Sequence, residues 1–142
     1  MASGAEHLAP GLHEYLISHS TAPDALLRDL IAETAARFPG RARLQIGPEQ
    51  GTFMTMLAGL MDARHVIEVG TYAAYWEEIV PRTRPGGVIV VDNTLLHGRI
   101  FHAEPDPDAV AIRQFNEHVL ADDRIVHAML PVGDGLTVAR RK

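Results

Sequence analysis

The sequence predicts an α/β fold in which helices alternate with short buried strands and the chain closes on an antiparallel hairpin. Three observations carry that expectation. Residues 88–91 (VIVV) are an unbroken apolar run, the pattern of a parallel strand covered on both faces. Residues 22–38, 48–61 and 107–120 place their apolar side chains at helical spacing. Residues 124–132 and 136–140 are strand-like segments on either side of Gly133-Asp134-Gly135, which reads as a hairpin turn. At 142 residues the chain is long enough for a single domain with a real core.

The elements follow in order. Residues 1–9 carry no periodic pattern, and a short helix is expected over 10–19. Ser20 or Thr21 is the expected cap of a second helix, with Pro23 in its first turn. Leu26, Leu27, Leu30, Ile31, Ala35 and Phe38 form its apolar face, and Pro39-Gly40 ends it. A third helix starts near Pro48, with Phe53, Met54, Leu57, Leu60 and Met61 on its apolar face. Residues 65–69 (HVIEV) read as a short strand ending at Gly70, and 72–80 as a helix closed by Pro81. Arg84-Pro85-Gly86-Gly87 is a turn, followed by the 88–91 strand and a loop over 94–105. Asp106-Pro107 opens a further helix as cap and first-turn proline, with Ile112, Phe115, Val119 and Leu120 as its apolar face. The hairpin completes the chain.

Composition removes several functions. The net charge of −5 argues against a nucleic-acid or anionic-membrane partner, either of which calls for a basic patch. With no cysteine there is no disulfide, thiolate metal site or cysteine nucleophile. Residues 1–10 lack the basic and apolar regions of a secretory signal. No apolar stretch approaches the roughly 18 residues a membrane helix needs. The expectation is a cytoplasmic protein. No G-x-G-x-x-G follows residues 65–69, which weakens a nicotinamide-binding reading.

Open α/β sheets bind ligands beyond the carboxyl ends of their strands, and two such ends are visible. The first is Glu68-Val69-Gly70-Thr71: the glycine lets backbone approach a nucleoside and the carboxylate accepts hydrogen bonds. From these residues alone a turn glycine beside a surface glutamate is the favoured reading. The second is Asp92-Asn93, a carboxylate beside a carboxamide, which supplies hard oxygen ligands suited to Mg²⁺. Taken alone, such a pair is more often a helix cap or an Asx-turn. Of the eight histidines, His97 stands out because it lies in the loop after Asp92-Asn93.

Three segments, in order, resemble the metal-dependent, S-adenosylmethionine-using O-methyltransferases of the catechol and caffeoyl-CoA type. They are LQIGPEQGTFMTMLAGLMDARHVIEVGTY, RPGGVIVVDNTLLHGRI and AIRQFNEHVLADDRIVHAMLPVGDGLTVARRK, and they cover nearly all of 44–142. The resemblance implies a shortened Rossmann-like methyltransferase sheet with N-terminal helices and a C-terminal hairpin. It implies one domain over 1–142, helical over 1–43 and sheet core over 44–142. By the same resemblance Gln45, Ile46, Glu68, Gly70 and Thr71 contact S-adenosylmethionine, Asp92 and Asn93 hold Mg²⁺ or another divalent cation, and His97 contacts substrate. Leu96 stands where members often carry tryptophan. The implied reaction is metal-assisted methyl transfer to a hydroxyl of a catechol-like or vicinal-diol small molecule, by a homodimer.

The resemblance also implies an internal deletion near Tyr72. The family's ribose-binding acid, its third metal ligand and its catalytic lysine all belong to the missing stretch, and the only lysine here is Lys142. If the 65–69 strand fills the vacated slot, the helix over 72–80 makes a right-handed crossover into 88–91. A four-stranded sheet results, with Glu68 near Asp92 and Asn93. The competing reading is a catalytically inactive methyltransferase remnant that serves as a folded or dimerising scaffold.

Overall fold

The structure is a computed structural model that describes residues 11–40, 45–66, 75–104 and 106–142. The chain divides into two compact units, 1–67 and 68–142.

The first unit holds three helices: α1 (Leu12–Ser18), α2 (Ala25–Arg37) and α3 (Pro48–Leu60). The expected cap of α2 was Ser20 or Thr21, but Asp24 does this work, accepting from the Leu27 backbone N–H at 2.8 Å. Asp24 has extended backbone dihedrals that aim its carboxylate at the first free N–H groups, and Pro23 falls just outside the helix. Ser20 instead donates back to the Leu16 carbonyl at 2.7 Å, which closes the end of α1. α3 begins with Pro48 in its first turn, as expected. Thr52 on α3 donates to the Thr21 carbonyl at 3.1 Å, and His13 on α1 lies 3.7 Å from Glu49. The apolar faces of these helices are not enclosed within the unit: α2 buries no residue, Leu26 is 76% exposed, and Gln50 is the buried residue of α3. Among the described residues of this unit there is no strand, and much of the apolar surface of its helices faces water.

The expected strand over 65–69 starts differently. His65 and Val66 lie outside any strand and Val66 is 75% exposed, while residues 67–69, together with Gly70, Thr71 and Tyr72, fall outside the described residues.

The second unit is built around α4 (Trp76–Arg82), β1 (Val88–Val91), α5 (Pro107–Ala121), β2 (Ile125–Leu130) and β3 (Leu136–Arg141). Pro81 does not close α4, which runs one residue further to Arg82 before Thr83 turns extended. Arg84-Pro85-Gly86-Gly87 forms a type II turn: Gly86 takes φ 77° and Gly87 donates to the Arg84 carbonyl at 2.8 Å. β1 has the expected limits, but its neighbour among the described residues is antiparallel. The sheet order is β1-β3-β2, with Val91 opposite Thr137 on one side and Leu130 opposite Leu136 on the other. The hairpin therefore does not merely flank the sheet; its second strand runs through the centre. An apolar run identifies a strand buried on both faces and carries no information about its neighbour's direction.

Asp106 caps α5 as expected, accepting from Asp108 and Ala109 N–H groups at 3.0 and 3.1 Å. Phe115 and Val119 reach the core, whereas Leu120 is 72% exposed. The core joins Trp76 and Val80 from α4, Ile89 and Val91 from β1, Phe115 and Val119 from α5, and Ile125 and Ala139 from the hairpin. Trp76 meets Phe115 edge to face, with centroids 5.7 Å apart.

One carboxylate satisfies the polar groups at the rim of this core. Asp122 accepts from Trp76 Nε1 at 2.8 Å, from the Arg124 guanidinium at 2.7 and 2.8 Å, and from the Arg124 backbone N–H at 2.9 Å. Glu77 receives the other face of Arg124 and lies 2.8 Å from His118 Nε2. The Arg124 guanidinium holds the Asp122 carboxyl well below the usual carboxylate range, against the opposing effect of burial. A pKa depressed on folding stabilises the folded state above the unfolded value, and that stability is lost as pH falls toward the folded one.

The loop after β1 docks on the hairpin turn. Thr94 N–H donates to the Gly135 carbonyl at 3.1 Å and Leu95 N–H to the Asp134 carbonyl at 2.9 Å. The approach is close enough that a Cβ on Gly135 would stand 2.4 Å from Leu95 Cγ and 2.8 Å from its backbone nitrogen, and Gly135 also takes φ 85°.

Two outcomes are expected. Melting temperature should stay level above about pH 5 and fall below the ordinary carboxylate value of 3.8. Asp122→Asn should flatten that fall and lower stability at pH 7 by about 1–3 kcal/mol; a variant as stable as the parent at pH 7 contradicts the account. Gly135→Ala should cost about 1–3 kcal/mol in a denaturant titration, from enforced left-handed backbone and collision with Leu95. An unchanged midpoint would show that the loop does not depend on this contact.

Candidate active site at the carboxyl end of β1

β1 points its carboxyl end at Asp92 and Asn93, and the sheet register puts the hairpin turn at the same end. Asp92 is half-buried and Asn93 exposed. The Asp92 carboxylate accepts from the Asn93 backbone N–H at 2.8 Å, which fixes it beside the next side chain. Asn93 has φ 62°, a conformation asparagine tolerates better than most residues. This geometry turns the amide of Asn93 back over Asp92, and its nitrogen donates to both carboxylate oxygens at 3.2 Å. The pair offers a carboxylate and an amide oxygen, donor chemistry that suits a hard divalent ion such as Mg²⁺. Among the described residues, no three histidine, cysteine or acidic side chains form a metal-binding group.

The floor beneath this pair is polar. Thr94 is fully buried, and Asn116 on α5 donates to its carbonyl at 2.9 Å. Thr94 Oγ1, Asn116 Oδ1 and Thr137 Oγ1 are buried without a hydrogen-bond partner among the described residues. Thr137 faces Val91, the last residue of β1, across the ladder. Buried polar atoms are normally satisfied, so three orphans at one strand end mark a place where water or ligand completes the structure.

His97 lies beyond Asp92-Asn93 in a loop with unusual backbone. Asn93, Leu96 and His97 all have positive φ, as does Gly98. A 3₁₀ segment, Leu96–Phe101, is kinked at His97 and Gly98 where a plain loop was expected. The His97 backbone N–H donates to the Asp134 carboxylate, and the ring Nδ1 lies 3.7 Å from Asp134 Oδ2. Asp134 is 3% exposed and the His97 side chain 45% exposed. Sequence reasoning took Asp134 for a turn residue. Its signal was visible only as an acid between two glycines, which a hairpin turn explains by itself.

The remaining expected site residues are Gln45, Ile46, Glu68, Gly70 and Thr71. Gln45 is half-buried and Ile46 is 49% exposed, both in the segment leading into α3. Gly47 follows, and a Cβ there would stand 2.6 Å from the carboxylate oxygens of Glu49. Glu49 Oε2 and Gln50 Nε2 are buried without hydrogen-bond partners among the described residues, so this segment too holds polar groups that a ligand could complete. Glu68, Gly70 and Thr71 fall outside the described residues. A shallow hollow of about 280 Å³, lined by Glu77, His118, Asp122 and Arg124, lies at the other end of the sheet, where ion pairs fill it.

The comparisons with known proteins agree with one another. A family model described as O-methyltransferase matches residues 17–77 and 71–142, two stretches that overlap over 71–77. Probable caffeoyl-CoA O-methyltransferase 1 of Dictyostelium discoideum is 42% identical over 72 residues, covering 49% of this chain and 31% of the relative. Caffeoyl-CoA O-methyltransferase 2 of Zea mays is 40% identical over 77 residues, covering 49% of this chain and 29% of the relative. The matched stretches thus span about a third of the length of these curated relatives. Among solved structures, the SAH-bound methyltransferase PaMTH1 of Podospora anserina superposes with a TM-score of 0.73 at 17% identity, covering 92% of this chain and 94% of that one. The O-methyltransferase of Bacillus cereus in complex with SAH gives 0.69 at 18% identity, covering 92% and 97%. At such identities these neighbours establish the Rossmann-like methyltransferase fold. With the family model matching most of its length, this chain belongs to the O-methyltransferase family.

Proposed function

We propose that this chain transfers a methyl group from S-adenosylmethionine to a hydroxyl of a catechol-like or vicinal-diol small molecule, with a divalent cation assisting. The observation that carries the reading is the carboxylate and carboxamide of Asp92 and Asn93 side by side at the carboxyl end of β1. Family membership and the names of the relatives, two of them caffeoyl-CoA O-methyltransferases, support the reaction and the substrate class.

The roles follow from the chemistry of each group. Asp92 and Asn93 hold the cation, Mg²⁺ or a similar ion, through hard oxygen atoms. A divalent cation held by Asp92 and Asn93 would supply Lewis-acid activation of a substrate hydroxyl. Gln45 and Ile46 contact the cofactor from the segment before α3. Glu68 accepts hydrogen bonds from cofactor hydroxyls, with Gly70 and Thr71 giving its backbone room to approach. His97 faces substrate. Holding the reacting oxygen in line with the methyl supplies much of the rate.

The chain works in this reading as one domain over 1–142 and as a cytoplasmic homodimer. Support for association comes from α2, where Leu26, Leu27, Leu30 and Phe38 are each about half exposed or more. Among the described residues no helix is long and apolar enough to cross a membrane.

The test is calorimetric titration of S-adenosylmethionine into the folded protein with Mg²⁺, followed by methyl transfer to catechol. Micromolar cofactor binding and a methylated product are expected. Asp92→Ala and Asn93→Ala should each weaken Mg²⁺ binding at least about tenfold while the fold survives, since both side chains lie outside the core. A folded chain that binds neither cofactor nor Mg²⁺ overturns the proposal and leaves a scaffold without activity.

A further inference from the structure

We infer that His97, backed by the buried carboxylate of Asp134, is the group that receives the proton of the attacking hydroxyl. The inference rests on the methyl-transfer reading but on different residues. A hydroxyl that becomes a methyl ether must lose its proton, and the oxygen attacks more readily when a base stands ready to take it. The one lysine of the chain is not placed for this. Lys142 donates to the Asp123 carbonyl at 2.6 Å, and its backbone N–H bonds Arg124, at the opposite end of the sheet from Asp92.

His97 has the arrangement a base needs. Its Nδ1 lies 3.7 Å from Asp134 Oδ2, and the histidine is 45% exposed while the aspartate is 3% exposed. The carboxylate is thus the inner partner and the ring the outer one. With the Nδ1 proton directed at Asp134, the neutral ring presents the Nε2 lone pair away from the carboxylate. Resting distances in such pairs commonly exceed those of the working complex.

The backbone makes this placement deliberate in energetic terms. Leu96 and His97 both hold positive φ, at 49° and 52°. Non-glycine residues in that region cost about 1–3 kcal/mol each and persist where surrounding contacts over-determine them. Here the contacts are identifiable. Asp134 accepts the His97 backbone N–H on one carboxylate oxygen, and the Asp134 and Gly135 carbonyls accept from Leu95 and Thr94. One buried residue therefore fixes both the loop and the ring it carries. The loop begins at Asn93, so the ring is held four residues from the candidate cation site.

The step balances. The substrate oxygen forms a bond to the methyl carbon, and the carbon–sulfur bond of the sulfonium breaks with its electron pair passing to sulfur. The hydroxyl proton moves to His97 Nε2, and the imidazolium is stabilised by the Asp134 carboxylate. Products are a methyl ether, a neutral thioether and a protonated ring that returns its proton to water. Asp134 acts as a positioning residue throughout.

The test combines ring nitrogen NMR with kinetics on the full chain. In the ¹⁵N-labelled protein without ligand, neutral His97 should carry its proton on Nδ1, and Asp134→Asn should remove that preference. A dominant Nε2–H ring in the parent, or the same tautomer in the variant, overturns the pairing. With S-adenosylmethionine, Mg²⁺ and catechol, His97→Asn should lower kcat at least about 100-fold with little change in KM. Asparagine keeps the positive φ and the backbone donor, so the loop is retained. Asp134→Asn should give a smaller loss in kcat, and unchanged kcat in His97→Asn refutes the catalytic role. If the unsubstituted chain transfers no methyl group, the methyl-transfer reading fails and the base role fails with it, while the NMR result still decides whether the pair exists.

Discussion

The 68–142 unit depends on β3 being hydrogen-bonded along both edges. β3 is the last strand in sequence but the middle one in space, with β1 on one side and β2 on the other. Each strand pairing fixes a register, and a one-residue slip would turn every buried side chain to the wrong face. Leu136, Thr137 and Ala139, all on β3, are essentially excluded from water. Moreover, the turn that starts β3 holds the loop that follows β1, so strand pairing at the centre and side-chain placement at the rim are one mechanical fact.

The two ends of this sheet use charge in opposite ways. At one end Asp122, Arg124, Glu77 and Trp76 satisfy one another almost completely, and the carboxylate is held ionised by its cationic neighbour. Complete pairing of that kind stiffens an edge and leaves no donor or acceptor for a ligand. At the other end, three buried polar atoms, on Thr94, Asn116 and Thr137, lack partners among the described residues. Unfinished bonding on a well-paired scaffold is what a binding site requires, because the scaffold carries the cost of keeping those groups in place.

Much of this was legible in the chain. The type II turn, β1 and the Asp106 cap announce themselves through local chemistry: proline before glycine, an apolar run, a carboxylate before a proline. The place of Asp92 and Asn93 was legible for the same reason, as polar residues that end an apolar run. What escaped depends on partners distant in sequence. The direction of the neighbour of β1 is set by residues 136–141, and no feature of VIVV encodes it. Asp134 looks like a turn residue until the loop from 94 to 97 is seen to rest on it. The cap of α2 was misplaced by three or four residues because serine, threonine and aspartate all offer an oxygen, and backbone dihedrals decide which one reaches the helix.

Placing a carboxamide rather than a second carboxylate beside Asp92 has a consequence for how the site rests between ligands. Two adjacent carboxylates would repel whenever empty, and the strand end would have to splay or take up a proton. An amide instead donates its nitrogen to the neighbouring carboxylate at 3.2 Å, so the two side chains attract. The end of β1 therefore keeps its shape unaided, and turning the amide oxygen toward a cation would take the rotation of one terminal group.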